Sequence, residues 1–202
     1  MNIHTKRVLR WTFALIAAAA LAAAAVIFAW MQGAFLPKWI QWEEKSLAIS
    51  PDEKGPDAIS LNRRHLTVQA DESTVWESPD GVLVQDFLWC DINHDGANEL
   101  ILLCWRIGRY GNARPYWVDR DERTWSQHIY IYEWRGHEIH ALWMASDIGM
   151  DAAAFAFDNE ERLSITEASG RVTCWDWISW GLTLIREKRG CREIDSLIQG
   201  RM

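Results

Sequence analysis

Apolar positions fall into two regimes along the chain. Residues 11–31 form one uncharged run rich in alanine, about the length that crosses a bilayer as a helix. Beyond residue 60 the apolar runs are short, rich in β-branched and aromatic residues, and bounded by turn residues, which is the pattern of strands. Residues 82–90 and 100–105 are mostly apolar runs and predict buried strands. In 128–134, Ile129 and Ile131 alternate with Tyr130 and Tyr132, the period of a strand. That segment turns at Arg135-Gly136 and is expected to pair with 140–143. By the same pattern 66–69 pairs with the strand at Val75-Trp76, and 171–177, turning near Gly181, pairs with 182–185.

The turn between 82–90 and 100–105 carries candidate chemistry. It reads Asp91-Ile92-Asn93-His94-Asp95-Gly96-Ala97-Asn98-Glu99. Oxygen-bearing side chains fall at alternate positions, Asp91, Asn93 and Asp95; Gly96 supplies the freedom for a sharp turn, and Glu99 follows. This spacing suits a hard cation such as Ca²⁺, which takes oxygen ligands in a tightly wound loop. Carboxylates about 4 Å apart repel by up to about 4 kcal/mol per pair at an effective dielectric of about 20, unless a cation lies between them. An EF-hand is excluded, because its twelfth loop position holds Leu102 rather than Glu and both flanks are strands.

Strand, D-x-[DN]-x-D-G-x-x-[DE]-L, strand resembles the FG-GAP/VCBS-type repeats of β-propellers, including those of integrin α-subunits. The resemblance rests on residues 91–100, with a blade-like pattern around them from roughly 60 to 187. It implies a Ca²⁺ ion held by Asp91, Asn93, Asp95, the Ala97 carbonyl and Glu99, and every side-chain position matches.

A weak repeat supports that organisation. Trp76 precedes Asp91, and Trp143 precedes Asp158, by the same interval. After each Trp come a Ser, a turn and an apolar strand ending in Asp. The second copy, 152–158 with Asn159-Glu160-Glu161 and 162–166, keeps the strand-turn-strand form. It lacks the metal spacing and the glycine, so it reads as a degenerate blade without an ion. The expected fold class is all-β: a partial β-propeller-like array of antiparallel four-stranded units following an N-terminal transmembrane helix. The pattern gives two such units and one leading half unit, about two and a half blades. That is too few to close a propeller, so an open assembly, self-association and completion by a partner chain all stay open. Trp76, Trp89, Trp134, Trp143, Trp175 and Trp177, in predicted strands, are read as core and blade-packing residues rather than ligand platforms.

Lys6, Arg7 and Arg10 precede the apolar run, so the positive-inside rule puts the N-terminus in the cytoplasm. Trp30, Trp39 and Trp42 are placed for an aromatic anchor at the outer interface. A cleaved signal peptide with its site near Ala23-Ala24-Ala25 is the rival, but the apolar run continues through 26–30, which favours a retained signal anchor. Either way the rest is exported. The expected localisation is the cell membrane, single-pass, with an extracytoplasmic C-terminal domain. The divisions are a cytoplasmic N-terminus (1–10), the transmembrane anchor (11–31), a juxtamembrane linker (32–60), the β domain (61–188) and a tail with the look of a short helix (189–202). Residues 50–57 are turn-rich and polar.

The net charge is −7, and all 28 acidic residues lie after Met31, which argues against a nucleic-acid partner. The sequence does not fix a pairing for Cys90, Cys104, Cys174 and Cys191; Cys90 and Cys104 flank one hairpin out of register. No nucleophile elbow, Walker loop or zincin motif occurs, and His137-Glu138-Ile139-His140 has the wrong spacing for zinc, so an enzyme is not expected. The long link 105–125 is the second candidate site. Arg109, Tyr110, Arg114, Tyr116, Trp117 and Trp125 mix cations with aromatics, as interface anchors do, and the same mixture suits glycans; the rival is that Trp117 and Trp125 only cover the end of a blade.

The functional expectation is a membrane-anchored, extracytoplasmic, calcium-binding module for protein or cell-surface glycan interaction, with calcium mainly structural. The alternative is an accessory subunit of a cell-envelope enzyme or assembly complex, completed by a partner chain.

Overall fold

The computed structural model describes residues 3–108, 121–145 and 148–189. It divides into two units, Met1–Pro37 and Lys38–Met202.

The first unit is the helix α1 (Ile3–Met31). Alanine is the strongest helix former, and the run offers no Gly or Pro to interrupt it. Gly33, at φ 69°, ends the helix: its N–H donates to the Trp30 carbonyl at 3.0 Å and the Ala34 N–H to that of Ala29 at 3.0 Å. This pair of bonds is a Schellman cap. Trp11–Met31 is long and apolar enough to cross a membrane: it has 21 residues, about 31 Å at the helical rise, and a mean hydropathy of 2.4 over an 18-residue window.

Among its described residues the second unit contains twelve strands in three four-stranded sheets, each an antiparallel meander. The first sheet is β1 (Lys45–Ala48), β2 (Ala58–Asn62), β3 (His65–Ala70) and β4 (Ser73–Glu77). The second is β5 (Leu83–Cys90), β6 (Glu99–Arg106), β7 (Ser126–Arg135) and β8 (Glu138–Met144). The third is β9 (Ala152–Phe157), β10 (Leu163–Glu167), β11 (Arg171–Ile178) and β12 (Gly181–Arg189). None of the three sheets closes on itself.

The second sheet lies between the other two. Along β6, Leu100, Leu102 and Cys104 join Ile59, Leu61, Leu66 and Val68 of the first sheet in one core. Ile101 and Leu103 face the other way, into a second core with Phe155, Leu163 and Ile165 of the third sheet. Both faces of β6 are therefore buried, which is why it reads as an unbroken apolar run. In β7, Tyr130 and Tyr132 enter the first core and Ile129 and Ile131 the second. Trp76, Trp89, Trp134, Trp143, Trp175 and Trp177 all pack against one of these two cores. β5 lies against β9, and β4 against β8.

A buried polar strut ties the second sheet to the third. Gln127 Nε2 donates to Gln85 Oε1 at 2.8 Å and to the Ala152 carbonyl at 2.8 Å, while Gln127 Oε1 accepts the Ala152 N–H at 2.7 Å. Trp105 Nε1 donates to the same Gln85 oxygen at 3.0 Å.

Two expectations change. Residues 32–60 are not a simple linker, because β1 and the start of β2 fall inside them. The chain turns back between these strands over 49–57, and the Asp57 carbonyl accepts the Ile49 N–H at 2.9 Å. Lys45 pairs with Asp86 of β5 at 2.5 Å and lies 4.6 Å from the Phe87 ring centroid, so this edge strand is tied to the second sheet. The half unit is accordingly a full sheet, giving three four-stranded units rather than two and a half. The expected helix in the tail lies outside the described residues, as does Cys191; Cys90, Cys104 and Cys174 are free thiols.

Candidate metal centre

The acidic loop joins β5 to β6 in the middle sheet. Cys90 pairs with Glu99 at the last rung of the ladder, and residues 91–98 arch beyond it. Two residues take the left-handed conformation that the arch needs, His94 at φ 62° and Gly96 at φ 87°.

The predicted side chains converge. Asp91 accepts the Asp95 N–H at 3.1 Å on one oxygen and the Gly96 N–H at 2.8 Å on the other. Asn93 Oδ1 also accepts the Asp95 N–H, at 2.9 Å, and Asp95 Oδ1 accepts the Ala97 N–H at 2.9 Å. Glu99, only 2% exposed, accepts the Ile92 N–H on Oε2 at 3.0 Å. Asn93 Nδ2 donates both to Asp95 Oδ2 at 3.1 Å and to Glu99 Oε1 at 3.0 Å. A polarised N–H₂ group thus sits between two carboxylates. Asp91, Asn93, Asp95, Ala97 and Glu99 are all in the loop, and Ala97 takes part through its N–H. Among the described residues, no group of three or more His, Cys, Asp and Glu side chains has the arrangement of a formed metal site.

The charges are poorly compensated. Burial pushes the Glu99 carboxyl up to about 7, and the negative charges of Asp95 and Asp91 push the same way against the Ile92 and Asn93 hydrogen bonds. Cys90 beside it is pushed up to about 12, by burial first and then by Glu99 and Asp91. His94 reaches from the loop to the third sheet, 3.1 Å from Asp176 and 3.8 Å from Glu161. The Asp176 hydrogen bond raises its pKa.

The matching turn of the third sheet solves the same problem differently. There Asp158 Oδ1 accepts the Glu160 N–H at 2.9 Å and the Arg162 N–H at 3.0 Å. The Arg162 guanidinium pairs with both Asp158 and Glu160. That turn carries its own cation. In the 91–99 loop no Lys or Arg among the described residues pairs with Asp91, Asp95 or Glu99. The donor set there is four oxygen-bearing side chains within one turn, which fits a hard divalent cation better than zinc or a soft metal.

Of the second candidate group, Arg109, Tyr110, Arg114, Tyr116 and Trp117 lie outside the described residues. Trp125 is half-buried, just before β7. The base of this link is clasped, a feature sequence reasoning missed. The Glu122 N–H donates to the Gly108 carbonyl at 2.8 Å, and the Gly108 N–H donates back to Glu122 Oε2 at 3.1 Å. A β-carbon on Gly108 would lie 2.7 Å from the Glu122 carboxyl carbon, so any larger residue there would make that carboxylate shift. The Gly108 and Glu122 identities were the available signal. Ser126 Oγ joins Glu122 to His128, which is buried and lies 3.1 Å from the Ala145 carbonyl. His137 and Glu138 sit at the exposed β7–β8 turn, with His140 on β8.

No protein-family model matches this chain, and neither a curated protein nor a solved structure does.

Proposed function

We propose that this chain is a membrane-anchored, extracytoplasmic binding module whose propeller-like β unit is stiffened by one Ca²⁺ ion at the 91–99 loop. The observation that carries the reading is the contrast between two equivalent turns. Arg162 neutralises the carboxylates of one, while no Lys or Arg among the described residues pairs with Asp91, Asp95 or Glu99 of the other. Asp91, Asn93, Asp95 and Glu99 are the side chains that would hold the ion, with the Ala97 carbonyl as the backbone ligand. A bound Ca²⁺ would supply charge neutralisation and rigidity there, not reaction chemistry. Three meanders packed face to face in chain order, with β5 near β9 and β4 near β8, support the propeller-like description. α1 supports the anchor, and the basic residues Lys6, Arg7 and Arg10 ahead of its apolar span support a cytoplasmic N-terminus.

Calorimetric titration of the full chain with Ca²⁺, and melting with and without chelator, test the reading. Saturable binding of about one ion should raise the melting temperature, and Asp91→Ala should remove both effects. Absence of binding by the wild type would overturn it.

A specific observation keeps a second reading in play. Three four-stranded sheets fall short of the four to eight blades of closed propellers. An accessory subunit completed by a partner chain would resolve this, and the solution mass of the purified full chain tests it: a lone folded monomer counts against it.

A further inference from the structure

We propose that two copies of this chain close head to tail into one ring of sheets, the outward face of the third sheet of each copy seated on the outward face of the first sheet of the other. The inference rests on the propeller-like description and names what completes it. It uses none of the residues of the acidic loop.

Successive sheets pack by one rule. First strands lie beside first strands: Lys45 of β1 pairs with Asp86 of β5, and β5 lies against β9. Fourth strands lie beside fourth strands: β4 lies against β8, and a β-carbon on Gly181, where β12 begins, would lie 2.7 Å from Trp143 Nε1 on β8. The second sheet is covered on both sides, so one face of the first sheet and one of the third are left as the ends of the array. Closed propellers have four to eight blades. One copy supplies three sheets, two copies six and three copies nine, so two is the number of whole chains that fits.

The two end faces match each other. On the first sheet the ladder rows that alternate with the core residues hold Ser46, Ser60 and Thr67, then Ala48, Ala58 and Gln69. On the third sheet the corresponding rows hold Ala156, Ser164 and Cys174, then Ala154, Thr166 and Val172. Sheet faces and edges turned to water are usually guarded by charge, and these rows carry none on three successive strands. Their side chains are short, which lets a second sheet approach to the packing distance of about 10 Å. Charge enters at the fourth strand, with opposite sign on the two faces. The first-sheet rows end at Glu77 and Thr74, and the third-sheet rows end at Arg186 and Lys188. Seating fourth strand beside fourth strand therefore brings unlike charges together.

Area and chain direction agree with closure. A face of four strands, each about five residues long, covers roughly 320 Å². Closure buries four such faces, about 1,300 Å² in all, within the roughly 1,200–2,000 Å² of stable interfaces. The β unit begins at Lys38, and the Trp39 ring lies 6.0 Å from that of Trp105, at the end of β6 away from the acidic loop. Two copies around one axis keep both starting points on one side of the ring, as two chains that each follow a membrane span require.

The test is the mass of the full chain in density-matched detergent, by sedimentation at about 1–50 μM, for the wild type and for Ala48→Arg, Ala154→Arg and Ala156→Arg. All three alanines are exposed, so the changes disturb no packing within one copy, and melting of each variant checks that it folds. The wild type should sediment as two chains. A variant of either face should sediment as one, with association weakened at least tenfold. A monomeric wild type at every concentration would overturn closure and leave the propeller-like description standing. Loss of the dimer only in the variants of one face would mean pairing of like faces and would overturn both. A dimer that survives in every variant is held elsewhere, as through α1, and would also overturn the proposal. Calcium is read by melting with and without chelator, so its failure gives a different result.

Discussion

The buried carboxylate of Glu99 should make the chelated protein less stable as the pH rises. Its pKa is about 7 in the folded chain against 4.5 for an ordinary glutamate, chiefly because of burial. Between those values the folded chain holds a proton that the unfolded chain has lost. Stability from this group is therefore complete below about pH 4.5 and is lost as pH rises through about 7. The difference amounts to about 3 kcal/mol, at 1.36 kcal/mol per pH unit. For a chain of this size that is roughly 6–12 °C in melting temperature. The assay is fluorescence-monitored melting of the full chain in chelator at pH 5 and pH 8, for the wild type and Glu99→Gln. The wild type should lose the larger amount between the two pH values. His94, whose pKa is also raised, contributes stability that fades in the same direction. It is present in both proteins, so the comparison isolates Glu99. Ca²⁺ should then restore the wild type at pH 8 and leave the variant unchanged. Parallel pH profiles for the two proteins would refute the reasoning.

Gly55→Ala should destabilise the fold by about 1–3 kcal/mol in the same melts, because the added carbon would meet the Trp89 ring at 2.9 Å and Ile49 at 3.3 Å. A freely moving linker would show no change. Gln127→Leu should cost roughly 1–3 kcal/mol by chemical denaturation, since the Ala152 N–H and one acceptor contact of Gln85 lose their partner.

How legible the fold was depended on burial. The middle sheet has both faces covered, so its strands stand out as apolar runs, and the β7–β8 hairpin announces itself with Gly136. The first sheet was harder to see. β1 is a four-residue strand with its residues exposed or half-buried, and it carries no apolar alternation. Two of that sheet's hairpins turn through Arg63-Arg64 and Asp71-Glu72, all with positive φ, where Asn-Gly or Asp-Gly would have signalled the same tight turn. Tertiary pairing, not turn preference, sets those positions. The acidic loop was legible because its hydrogen bonds are local: every partner of Asp91, Asn93, Asp95 and Glu99 found above lies within residues 91–99. The uncharged end faces were not, because Ser46 with Ser60 and Ala154 with Thr166 share a row only once the strands pair. Nor does spacing reveal that Arg162 stands in as the cation of the third sheet's turn.

The Gly108–Glu122 clasp has a consequence for how this protein tolerates change. The two ends of this connection are already joined by their own hydrogen bonds, which hold the end of β6 and the approach to β7 together. Doubling the length of such a loop costs only about 0.6 kcal/mol in closure entropy. The clasp therefore marks a graft point, where one insert can be exchanged for another while β6 and β7 keep their register.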